Sequence, residues 1–171
     1  MSTISEVWRK LTAGITTGGK SLLIKSPITT SAGAYSSGDC VGTIQQLKDV
    51  VTVVNGTAIL KSIQVKDTAA QSAALTILIF DSLPLGATTT DNSAFVWGSG
   101  TAFTQEIAKI NIAATDYESI DSKSIYDSDA FSQVLKTNGG LDLYYVVITT
   151  GTPTYAANST TLSINFGFLQ D

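Results

Sequence analysis

GITTGGKS, residues 14–21, has the spacing of a P-loop: glycine, four residues, glycine, lysine, serine. TILIFD, residues 76–81, is an apolar run closed by aspartate, the form of the segment that helps a P-loop hold Mg²⁺. If both work that way, the chain is a parallel α/β nucleotide hydrolase. A P-loop wraps phosphates in backbone N–H groups where a buried strand turns into the N-terminus of a helix. Three contexts are therefore required, and each can be read from the flanking residues.

Before Gly14, Ile4, Val7, Trp8 and Leu11 fall at i, i+3, i+4 and i+7, the spacing of one helix face and not of a buried strand. Thr3 and Glu6 form a capping-box pattern at its start, and Arg9 and Lys10 suit the dipole of its last turn. After Lys20, residues 21–24 run into Pro27, which would interrupt the required helix. Between the two motifs stands Asn55-Gly56, flanked by β-branched residues 49–54 and by residues 57–65, a hairpin signal that makes antiparallel neighbours. All three contexts fail. Lys20 then reads as a solvated linker charge, and Asp81 as the polar residue that ends a buried strand.

The rest of the chain carries strand signals. Residues 21–25 form a short apolar strand closed by Pro27, and residues 74–80 are apolar on both faces, as in a fully buried central strand. Residues 81–100 form a long connection punctuated by Pro84, Gly86, Asp91-Asn92 and Gly98, with Phe95, Val96 and Trp97 expected to fold back onto the core. Residues 101–106 suit one helical turn, 107–113 a strand, 122–126 a short strand, 129–134 another helical turn, and 141–150 a second two-sided apolar strand. Leu162, Ile164, Phe166 and Phe168 alternate with Ser163, Asn165 and Gly167, a half-buried last strand. No helical pattern after residue 20 is long enough to cross between parallel strands. The expected fold is all-β: an antiparallel β-sandwich, jelly-roll-like, with a short N-terminal amphipathic helix. Residues 1–20 are expected to form the helix and a flexible linker arm, and residues 21–171 a single β-sandwich domain.

Composition narrows the function classes. Only 14% of the 171 residues are charged, against about 25% in ordinary domains. The net charge is −4 and the ten Lys and Arg are scattered, so no nucleic-acid footprint is visible. There is no histidine, which removes the commonest general base, the commonest zinc ligand and any Ser-His or Cys-His pair. The single cysteine, Cys40, reads as a small buried apolar residue. The longest apolar run, residues 73–80, is far shorter than the roughly 20 residues a membrane helix needs. Trp8-Arg9-Lys10 stands where a signal peptide would be apolar, so a soluble product made in a cytoplasm and not secreted is expected, and Asn55-Gly56-Thr57 and Asn158-Ser159-Thr160 read as turns. Asp91-Asn92, Asp116, Glu118, Asp121, Asp127 and Asp129 read as turn caps. Asp127-Ser128-Asp129 lacks the glycine and distal glutamate of an EF-hand. Trp97, Tyr117 and Tyr155 are aromatics that could line a sugar site, with packing as the simpler role. No catalytic, cofactor-binding or metal-ligating residue emerges, and no enzyme activity is expected.

Several stretches together carry a family resemblance. They are Ala34-Tyr35-Ser36-Ser37-Gly38-Asp39, the run from Gln71 to Asp81 with Pro84, Thr90-Asp91-Asn92-Ser93-Ala94-Phe95, Gly151-Thr152-Pro153-Thr154-Tyr155, and Leu162 with the closing Gly167-Phe168-Leu169-Gln170-Asp171. In order and spacing they resemble a group of small tailed-bacteriophage virion structural proteins of the accessory capsid or decoration type. The resemblance covers residues 34–171 and leaves the first 33 outside it. It implies a non-enzymatic virion role, that of a capsid decoration or cement protein packing on the capsid lattice as a homo-oligomer, with a trimer favoured. The implied partners are the major capsid protein or neighbouring virion subunits, with no cofactor, nucleic acid or membrane. The alternative is a tail, baseplate or fibre-associated module recognising a carbohydrate or receptor. Independently of the resemblance, a helix followed by a Gly/Thr linker suits an arm that engages a neighbour, with Ile4, Val7, Trp8 and Leu11 as the partner interface.

Overall fold

In the computed structural model of the chain, the described residues are 20–31, 33–98 and 100–170. The expected helix bearing Ile4, Val7, Trp8 and Leu11, and nearly all of GITTGGKS, lie outside them. The elements in chain order are β1 (Lys20–Thr30), β2 (Gly33–Ala34), β3 (Gln45–Leu47), β4 (Thr57–Asp67), β5 (Leu75–Phe80), α1 (Gly100–Gln105), β6 (Glu106–Ile112), β7 (Glu118–Ile120), β8 (Lys123–Ser128), β9 (Gln133–Lys136), β10 (Leu143–Thr149), β11 (Thr154–Tyr155) and β12 (Ser159–Gln170). One sheet has the order β1-β12-β4-β8-β7, with β9 also paired to β4; the other has the order β3-β10-β5-β6. A small ribbon joins β2 to β11, and all these pairings are antiparallel. The chain is therefore all-β and antiparallel, as its composition indicates. Successive long strands change sheet, β1 to β3 to β4 to β5, so each loop crosses an end of the molecule.

The two sheets face each other across one apolar core. Inward residues of β12, Leu162, Ile164, Phe166 and Phe168, are buried against Leu75, Ile77 and Ile79 of β5 and Tyr145 and Val147 of β10. Phe166 meets Tyr145 edge-on at 4.9 Å between ring centres, a geometry that adds to the burial of both rings. The Tyr145 hydroxyl donates to Ser26 Oγ at 2.7 Å, so the polar tip of this buried ring is satisfied across the sheets.

Several local expectations are corrected. Pro27 does not close β1, which continues to Thr30. β1 is an edge strand, and Pro27 points outward opposite Ser163, a position where the missing N–H costs nothing. Residues 50–54 are not a strand, although they are β-branched. Val50 and Val51 are buried while Val53 and Val54 are exposed, and Asn55 sits at φ 59. Here the chain crosses from β3 in one sheet to β4 in the other, so Asn55-Gly56 turns a connector and not a hairpin. The Asn55 side chain accepts from Gly139 N at 2.6 Å, tying that connector to the turn before β10. Residues 129–134 form no helical turn; Gln133–Lys136 is β9, which pairs with β4. The turn at 100–105 is helical as expected.

Lys20 is the first residue of β1 and pairs with Gln170, where a P-loop would begin a helix. β5, which carries TILIFD, is antiparallel to both its neighbours. The Asp81 carboxylate accepts from Ser82 Oγ at 2.6 Å. It lines a polar recess of about 470 Å³ with Asn55, Ile107, Lys136, Thr137 and Asn138, and Lys20 does not line it.

Candidate interaction surface

β5 is buried on both faces, but only one of them lies inside the sandwich. Leu78 and Phe80 point outward and form a second apolar cluster with Val146 and Cys40, covered by Phe95, Trp97, Tyr144 and Ile148. Phe95 and Trp97 come from the long connection after β5, while Tyr144 and Ile148 lie on β10. Trp97 is its centre: it meets Phe80 at 6.1 Å, Phe95 at 4.9 Å and Phe103 of α1 at 5.2 Å, each edge to face. The expectation that Phe95 and Trp97 fold back is met, while Val96 between them is exposed.

The first residues of the connection are tied to α1 by the Gln105 side chain. Gln105 Nε2 donates to Ser82 Oγ at 2.8 Å and to the Leu83 carbonyl at 2.9 Å, and its Oε1 accepts from Leu85 N. At the other end Thr88 pairs with Val96, and Gly98 lies so close to Gly86 that an added Cβ would stand 1.7 Å from the Gly86 carbonyl oxygen. Gly98 also has φ +67, which an alanine adopts only under strain. Gly98→Ala is expected to cost about 1–3 kcal/mol and to loosen the cover. A red shift of Trp97 emission with the β-sheet circular dichroism unchanged would report that loosening.

The result is an apolar surface with a groove. Leu83, Leu85, Val96 and Phe103 are 46%, 60%, 52% and 61% exposed. Beside them a groove of about 380 Å³ is lined by Phe95, Trp97, Phe103, Leu78 and Ile148, with Thr76, Glu106 and Lys109 along its polar side. Of the three aromatics named from sequence as sugar-site candidates, the structure brings Trp97 to this groove. Tyr155 is buried, and Tyr117 packs on the main core.

No protein-family model and no curated protein matches the sequence. Two solved structures share a weak likeness. One is the structure of infectious bursal disease virus, Gx strain, at TM-score 0.37 and 8% identity, covering 89% of this chain and 32% of that one. The other is the VP2 subviral particle of infectious bursal disease virus, at TM-score 0.35 and 9% identity, covering 90% of this chain and 37% of that one. The chain spans about a third of the length of each. An overlap this low carries no argument about function.

Residues from several of the stretches that carry the phage resemblance meet at one end of the sandwich, while Gly167 to Gln170 lie at the other, paired with residues 20–23. Asp91 accepts from Tyr35 Oη at 2.8 Å, Gly42 N at 2.6 Å and Ser31 N at 2.5 Å. Tyr35 N donates to the Pro153 carbonyl, Gly38 N to Thr149 and Phe95 N to Gly38. Tyr35 and Tyr155 meet edge-on at 5.9 Å. Asp67, buried at the end of β4, accepts from Ala69 N at 2.9 Å, Gln71 N at 2.8 Å, Ser72 N at 3.2 Å and Tyr155 Oη at 3.4 Å. Both carboxylates are spent on closing loops, the role of buried acceptors in a scaffold. Asp116 likewise accepts from Ala113 N, as a turn cap does. Burial lifts the Cys40 thiol to about 11, with Asp39 and Asp91 adding to the shift, so it stays protonated and unreactive at neutral pH. Among the described residues no three His, Cys, Asp or Glu side chains converge as a metal site would require.

The importance of the Trp97 groove was only half visible in the sequence. The two-sided apolar pattern of β5 and the aromatic run 95–97 were both legible. That they cover each other on the outside of a sheet depends on Gln105 and on the Gly86–Gly98 approach, which no local pattern announces.

Proposed function

We propose that the chain is a non-enzymatic structural protein of a virion, a decoration or cement subunit that packs on a capsid lattice as a homo-oligomer, and that its fold is a jelly roll. The strand order supports the second part. The sets 1-12-4-8 and 3-10-5-6 are the two four-stranded sheets that a pair of Greek keys generates, an architecture shared by viral capsid domains, lectins and cupins. Fold alone does not choose among these.

The observation that carries the reading is the exposed apolar surface around Trp97. Leu83, Leu85 and Val96 stand out of the connection after β5 and Phe103 out of α1, and the hydrogen bonds of Gln105 tie the two segments together. Exposed apolar surface of this kind marks contact with another protein surface. The absence of histidine and the commitment of Asp67 and Asp91 to loop closure support a role without catalysis. The phage setting, the major capsid protein or neighbouring virion subunits as partners and the favoured trimer rest on the sequence resemblance, and manufacture in the host cytoplasm on Trp8-Arg9-Lys10 standing where a signal peptide would be apolar. The arm reading of Ile4, Val7, Trp8 and Leu11 rests on their spacing.

Leu85→Asp with Phe103→Asp is the direct test. Both side chains are exposed, so the fold should survive, while binding to particles should be lost. Unchanged particle binding would refute the role given to this surface. Deleting residues 1–13 tests the arm separately: the shortened chain should stay folded and cease to self-associate.

A second reading has its own observation. Trp97 and Phe103 lie beside Thr76, Glu106 and Lys109 in a groove of about 380 Å³, and aromatic rings next to hydrogen-bonding groups suit a sugar ring. Binding to a glycan array that disappears in Trp97→Ala would favour a carbohydrate-recognising tail or fibre module.

A further inference from the structure

The outer face of the β1-β12-β4 sheet changes character along its length. At mid-sheet it is polar: Asn165 Nδ2 donates to Gln64 Oε1 at 3.0 Å, and Gln64 Nε2 to Asp127 at 3.3 Å. At the end where β1 begins, it is apolar. Ser21 pairs with Leu169, Leu169 with Ile59, and Ile59 with Val134, so one cross-strand row runs over β1, β12, β4 and β9. Leu23 stands beside this row, opposite Gly167. Leu23 is 62% exposed, Val134 64% and Leu169 37%. A sheet row this open normally carries charge or polar groups on its solvent side.

The row borders a recess of about 360 Å³, lined by Leu23 with Lys25, Ser62, Gln64, Lys66, Asp127 and Asn165. Gly167 itself is covered by the Ser62 side chain, whose Oγ stands 2.3 Å from where a Cβ on the glycine would lie.

We propose that this row is the seat of residues 4–11 of a second copy of the chain, with Ile4, Val7 and Leu11 along the row and Trp8 in the recess beside Leu23. The proposal rests on the arm reading above and names the surface the arm fills. Dimensions support it. Four strands span about 14 Å between the outer two at ~4.8 Å spacing, and positions i to i+7 of a helix span about 10.5 Å. At helical spacing Arg9 and Lys10 fall on the opposite side from Ile4, Val7, Trp8 and Leu11, away from the lysines that flank the row. The place where the arm joins the sheet agrees with this: Lys20, the first described residue, pairs with Gln170 one step beyond the row, so the arm of each copy starts beside such a row.

Two experiments on the full chain test this. In the first, Val134→Asp with Leu169→Asp is compared with Trp8→Ala by analytical ultracentrifugation. Both are expected to weaken self-association by at least about tenfold, the loss of one buried anchor. If Trp8→Ala acts and the sheet pair does not, the seat is wrong while the arm stands. If neither acts, the arm reading fails as well. In the second, chains carrying Trp8→Cys and chains carrying Leu23→Cys are mixed and oxidised, a readout that does not depend on the charged variants folding. A disulfide joining residue 8 of one chain to residue 23 of another is expected, as identified by peptide mass spectrometry. Absence of that bond, or its formation only within one chain of a Trp8→Cys, Leu23→Cys monomer, would overturn the proposal.

Discussion

Phe166→Ala is expected to destabilise the domain by about 3–5 kcal/mol, the range for removing a fully buried aromatic side chain. Phe166 has no exposed surface. It touches Tyr145 of the facing sheet at 4.9 Å and stacks near Phe168 of its own strand at 6.2 Å. Removing it therefore opens a cavity where the two sheets meet, and neither sheet can close it without shifting a whole strand. The denaturant midpoint should fall steeply in urea, with the slope little changed. A loss below about 1 kcal/mol would mean that the sheets are not packed through this ring.

Asp67→Ala is expected to cost about 3 kcal/mol, because it removes the acceptor for three backbone N–H groups and a tyrosine hydroxyl at the end of β4. The residues it holds, 69–72, lead directly into β5, so the loss should spread to the start of that strand. This carboxyl also gives the stability a pH dependence. Burial raises its proton affinity above the ordinary carboxylate value, against the opposing effect of the backbone N–H groups. The folded chain therefore binds this proton more tightly than the unfolded chain does. Its contribution favours folding below the ordinary carboxylate range and is lost as pH rises through the raised value. Urea midpoints measured across the acid range should show this slope in the native chain, and Asp67→Ala should remove it.

Much of the strand content was legible, because alternation and two-sided apolar runs are direct records of burial. β12 reads as an alternating strand since Leu162, Ile164, Phe166 and Phe168 all point into the sandwich. β5 reads as doubly buried since it is, although its outer face lies under Trp97 and not under another sheet. The errors share one cause. Residues 49–54 have strand propensity, and Asn55-Gly56 is good hairpin chemistry, but the chain there must change sheets, so tertiary demand overrides local preference. Pro27 ended a strand on paper because a proline removes a ladder donor; on an edge strand that donor faces solvent. GITTGGKS matched a phosphate-binding pattern in spelling alone: its lysine opens an edge strand, and the aspartate of TILIFD ends a strand in an antiparallel sheet.

The candidate surface was less legible than the fold. Phe95, Val96 and Trp97 were legible as a segment that folds back, but Leu83, Leu85 and Phe103 are unremarkable until Gln105 gathers residues 82–85 beside α1. The apolar row at Leu23, Leu169, Ile59 and Val134 is scattered over four segments of sequence and exists only through strand register.

Whether the chain is a structural subunit of a virion is decided by quantitative mass spectrometry of purified particles. The chain is expected there in a fixed, lattice-wide ratio to the major shell protein. Its absence from particles, or its presence in only a few copies at one site, would contradict it.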